Sequence, residues 1–118
     1  MVNTMTKKKE VSEATNWLGQ TIKVGSRVYR GAREGNSTSY KVGVVQKITE
    51  RQDTAFKSSY VLRVKWEFFP GIWFHGPQTQ SENVVYRSDS YGSPDLNTVV
   101  LIDDDTWDYL QSVARGYR

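Results

Sequence analysis

The residues that could do chemistry here are few, and their types exclude most of it. The chain has 118 residues, no cysteine and a single histidine, His75. Thiolate nucleophiles, disulfides and cysteine-held metals are therefore excluded. A Ser-His-Asp arrangement would have to place His75 on a segment rich in proline and glycine, with no nucleophile-elbow signature anywhere. The acidic run Asp103-Asp104-Asp105-Thr106 offers oxygens to a hard cation, but no second acidic cluster accompanies it. Carboxylates at the start of a helix are expected anyway, as caps and as partners for the positive end of the dipole. The expectation is a chain that is not an enzyme, with no catalytic residue, cofactor or metal.

What remains is binding chemistry. Phe69, Ile72, Trp73 and Phe74 crowd around Pro70-Gly71, a dipeptide that reads as a turn, since proline presets one corner residue and glycine accepts the next. Aromatic groups at such a tip either complete the core or anchor a partner. Arg30, Arg33 and Arg87 are the basic residues placed near it. Phe69, Trp73, Phe74, Arg30, Arg33 and Arg87 are thus the candidate partner-binding set. Interleaved aromatic and basic groups also suit single-stranded nucleic acid, through stacking and phosphate contacts. The formal net charge is only +3, which permits that reading without demanding it.

The elements that must position these groups are mostly strands. Tyr60 to Phe68 alternates strictly: Tyr60, Leu62, Val64, Trp66 and Phe68 on one side, Val61, Arg63, Lys65 and Glu67 on the other. That is the period of a half-buried antiparallel strand. Tyr40 to Thr49 repeats the pattern with Val45 out of register near Gly43, a fault that suggests a bulge or a strong bend of the kind a small barrel needs at its corners. Shorter strands are expected from Thr21, from Arg27, at Asn83 to Arg87 and at Thr98 to Ile102, with Gly31 to Ser39 and Glu50 to Ser58 as loops. Residues 1–10 read as a disordered basic tail, Ser12 to Gly19 as a short capped helix pinned by Trp17 and Leu18, and residues 104–115 as a C-terminal helix. Residues 11–118 then form one domain. The expected fold is mainly β: an SH3-like five-stranded barrel with a short N-terminal helix and a C-terminal helix.

The ordered landmarks Gly25-Ser26-Arg27-Val28-Tyr29-Arg30-Gly31, Val42-Gly43-Val44-Val45, Val64-Lys65-Trp66-Glu67, Tyr86-Arg87 and Gly92 with Asp95-Leu96 resemble those of the Mind bomb/HERC2 domain. More loosely they are similar to Tudor and KOW-type barrels. The resemblance implies a small SH3-like barrel that recognises peptides. Ala32-Arg33-Glu34 departs from the family's Pro-Asp-Trp type stretch, and Phe68 to Glu82 replaces its tight turn. The expectation for function is a non-enzymatic module for protein-protein interaction, in the style of a phage or mobile-element accessory protein that binds a host factor. The alternative is nucleic-acid binding through the same surface. No apolar run reaches the roughly 20 residues that span a bilayer, so a cytoplasmic protein without membrane contact is expected, as monomer or homodimer.

Overall fold

A computed structural model describes residues 6–34, 37–53, 58–75 and 80–117. The strands are β1 (Thr6–Val11), β2 (Glu13–Thr15), β3 (Thr21–Lys23), β4 (Arg27–Glu34), β5 (Ser37–Asp53), β6 (Ser58–His75), β7 (Gln80–Gly92), β8 (Val99–Leu101) and β9 (Arg115–Tyr117). One 3-10 turn, Leu96–Thr98, precedes β8, and one helix, α1 (Asp104–Val113), follows it. Among the described residues no helix is long and apolar enough to cross a membrane.

The alternation in Tyr60 to Phe68 lies within β6. Leu62, Val64, Trp66 and Phe68 are all buried; the first three pack with Val28, Val45, Ile48 and Val99 of the neighbouring strands, and Phe68 meets Trp107 of the helix. The fault at Val45 is a real irregularity: the β5–β6 register shifts between Val42 and Gly43 and again between Val45 and Lys47. The main sheet runs β8-β4-β5-β6-β7-β9, with β1 added to the far half of β5, and β2-β3 form a separate small hairpin.

This sheet is not a five-stranded barrel. Seven strands form it, and its terminal strands β8 and β9 do not pair with each other. The reason lies in what joins them. The chain passes from β8 to β9 through α1, whose ten residues span about 15 Å. The helix packs across the open side of the sheet, with Trp107 on Phe68 of β6, Asp104 on Arg27 of β4 and the Gln111 carbonyl on Arg87 of β7, where a closed barrel would need strand pairing. Three strands also run far beyond the core: β5 has 17 residues, β6 has 18 and β7 has 13, and the molecule extends 66 Å in its longest direction.

The N-terminal expectations fail as well. Residues 6–10, read as tail, belong to β1, paired antiparallel with β5 from Thr6 opposite Asp53 to Val11 opposite Ile48. No helix forms at Ser12 to Gly19; β2 and β3 form a hairpin there instead. Its turn is built on Asn16, which is buried. The Asn16 Oδ1 accepts from the Leu18 and Gln20 amides, at 3.0 Å each, and its Nδ2 donates to the Val99 carbonyl at 2.9 Å. Gly19 closes the turn with a φ of 80°, a conformation costly to other residues. Trp17 and Leu18 are held outward, 68% and 50% exposed. Trp17→Ala is accordingly expected to change stability by less than about 0.5 kcal/mol in a urea titration; a loss several times larger would mean that the indole does pin the hairpin.

Candidate functional site: a cleft between two strand arms

Beyond Val42 and Phe68 the sheet divides. Val42 is the last β5 residue to pair with β6, opposite Phe68. From there β5 continues alongside β4, down to Ser37 opposite Glu34, while β6 continues alongside β7, out to His75 opposite Gln80. Two hairpin arms therefore diverge from one root. Pro70 and Gly71, expected to form a turn, sit inside β6 opposite Val85 and Val84. Among the described residues that strand is paired on one side only past Phe68, which is where a sheet tolerates proline.

The space between the arms is an open cleft of about 450 Å³. One wall is Tyr29, Tyr40 and Val42 with Lys41, the one charged residue of the lining; the other is Phe69, Pro70 and Val85; Phe68 lies at the root, and Ile102 with Thr106 and Leu110 of α1 forms the third side. Almost all of this lining is apolar. Tyr29 and Tyr40 are stacked with ring centres 6.0 Å apart, and Phe69 lies against Tyr86 at 5.7 Å. Burial, and secondarily the neighbouring Tyr40, raises the Tyr29 phenol above its ordinary pKa. The Tyr29 ring of the first wall is therefore uncharged.

Helix α1 holds the cleft's shape. Its cap is Asp103, whose carboxylate accepts from the Thr106 amide at 2.7 Å and is thereby held below the usual carboxylate pKa. Trp107 is its buried residue, meeting Phe68 edge-on at 5.1 Å with the Arg27 guanidinium 4.7 Å from its ring centre. Arg27 also pairs with Asp104 at 3.2 Å.

Of the candidate residues, Phe69 lines the cleft. Arg87 stands on β7 opposite Phe68 and does not line the cleft; its guanidinium is engaged, with Nη2 donating to the Gln111 carbonyl at 3.3 Å and the group 5.8 Å from the Phe68 ring centre. Arg30 lies on β4, half-buried, and its Nε has no hydrogen-bond partner among the described residues. Arg33, Trp73 and Phe74 have strand backbone in the two arms, and their side chains, like that of His75, lie outside the described residues. Tyr29, Tyr40, Ile102 and Leu110 were not singled out from the sequence. The signal for the tyrosines was the alternation of β4 and β5, which puts Tyr29 on the face away from buried Val28; only the register brings Tyr40 beside it.

Comparison with family models, with curated proteins and with solved structures returns no match. The resemblance to the Mind bomb/HERC2 domain therefore rests on its short motifs alone. No relative supplies a ligand or an activity for the cleft. Among the described residues no group of three or more histidine, aspartate or glutamate side chains could hold a metal ion.

Proposed function

We propose that this chain is a non-enzymatic binding module that takes an apolar segment of a protein partner into the cleft between its two arms. The observation that carries this reading is the cleft's composition. Soluble proteins seldom leave a concave, almost wholly apolar surface open to water, and surfaces of that kind mark binding sites. Rigid tyrosines on one wall and Phe69 on the other are the residue types that anchor protein interfaces, because they bury large area with few rotatable bonds. A cleft of about 450 Å³ accommodates one or two large side chains, so the ligand is a short segment with an aromatic or branched aliphatic anchor.

A displayed library of random peptides tests this. Selection on the protein is expected to enrich peptides with one fixed apolar anchor. Tyr40 is 40% exposed, so Tyr40→Asp is expected to leave the fold intact by circular dichroism. The same substitution is expected to weaken the selected peptides by at least about tenfold, the loss typical of an interface anchor. Equal binding by the folded variant would exclude the cleft as the site.

A further inference from the structure

A second surface lies away from the cleft, on the outer face of β1, β5 and β6. The inward residues there are Ile48 and Leu62, both buried, so Lys47, Thr49 and Arg51 of β5 share the opposite face with Val61 and Arg63 of β6. Lys47 stands directly opposite Arg63. Like charges in that position oppose folding. Neither of them, nor Arg51, has an ion pair among the described residues; the Arg63 guanidinium instead lies 4.8 Å from the Tyr91 ring centre. Lys9, Lys47, Thr49, Arg51 and Val61 surround an open recess of about 490 Å³, with Glu10 as its only carboxylate. Further along the face the charge is neutralised, since Lys65 lies 3.8 Å from Glu67 and 3.6 Å from Asp89. Both carboxylates hold the Lys65 ammonium above its ordinary pKa.

We infer that this face binds the phosphodiester backbone of a nucleic acid. Lys47 and Arg51 lie four residues apart on an extended strand, about 13 Å, so the cations are spread along a line and not gathered at a point. Such a row suits a linear polyanion. The face also lacks the apolar centre that a protein interface needs, having only Val61, whereas polar and strongly positive surfaces are the rule for nucleic-acid contacts. A row of cations without base-reading groups gives affinity without sequence preference. The inference is independent of the cleft, and its test uses none of the cleft residues.

The test is fluorescence anisotropy with labelled oligo-dT and with a duplex of equal length, read across salt concentrations. Three phosphate contacts are expected to cost roughly 20- to 40-fold in affinity between about 50 and 200 mM salt. The pair Lys47→Gln with Arg63→Gln is expected to flatten the logarithmic salt slope by about 0.7–0.9 for each cation removed. The same pair is expected to leave the melting temperature unchanged or raised, because it relieves a repulsion. Absence of binding to both probes, or an unaltered slope in the folded variant, would overturn the inference. So would polyglutamate competing as well as the oligonucleotide, which would make the face a site for acidic proteins.

Discussion

Trp107→Ala is expected to remove about 3–5 kcal/mol of stability, the usual cost of truncating a buried tryptophan. Trp107 is 6% exposed and is the one buried residue of α1. A ten-residue helix has no independent stability in water, so α1 depends on tertiary contacts, and its buried one is the indole against Phe68 with the Arg27 guanidinium over it; the Arg27–Asp104 and Arg87–Gln111 contacts are exposed. Without it, the helix is expected to detach from the gap between β8 and β9. Because Ile102, Thr106 and Leu110 form one side of the cleft, peptide binding should fail together with stability. Urea titration with helix content followed by circular dichroism reads both effects. Trp107→Phe keeps a ring against Phe68 and is expected to retain most of the stability. A loss below about 1 kcal/mol for the alanine variant would mean that α1 is held by something else.

Gly43→Ala is expected to be as damaging although it adds a single methyl group. Gly43 sits in β5 where the register with β6 shifts, opposite Trp66. A Cβ there would run into the Lys65 carbonyl oxygen, with the Val64 Cγ1 at 2.8 Å and the Trp66 Cε3 at 2.9 Å. The obstacle is backbone and buried core, neither of which can swing away, so the strands must separate. The expected cost is about 3 kcal/mol, at the upper end for overpacking, read as a lower urea midpoint at unchanged slope. The site lies at the root of the two arms, so the variant is also expected to alter the cleft. A neutral result would contradict the close approach of β6 to β5 at Gly43.

Where side chains meet a core, the sequence was readable. The alternation of Tyr60 to Phe68 located the buried face of β6, the fault at Val45 located the bulge, and Asp103 located the start of α1. Where the strands leave the core it was not, because hydrophobic periodicity reports burial and not extension. Residues 32–34 and 37–39 read as loop for that reason, yet they are strand in the β4–β5 arm. Pro70-Gly71 read as a turn because its local chemistry is that of a turn, and only the pairing with Val84 and Val85 shows an edge that accepts it. Ser12 and Gly19 imitated helix caps around a hairpin whose turn depends on Asn16 reaching Val99. The barrel expectation failed at closure, which α1 decides and no single strand reveals. The same holds for the sites: the positive side of β6 was visible as Arg63 and Lys65, but that Arg63 faces Lys47 is a matter of register.

On this reading the space between the arms takes an apolar ligand. This is tested most directly by methyl-resolved NMR during titration with N-acetyltryptophanamide, a minimal apolar anchor. Saturable shifts are expected at the methyl groups of Val42, Val85, Ile102 and Leu110, and they should disappear in Tyr40→Asp. Shifts that do not saturate, or that fall elsewhere on the protein while these methyl groups stay still, would contradict the claim.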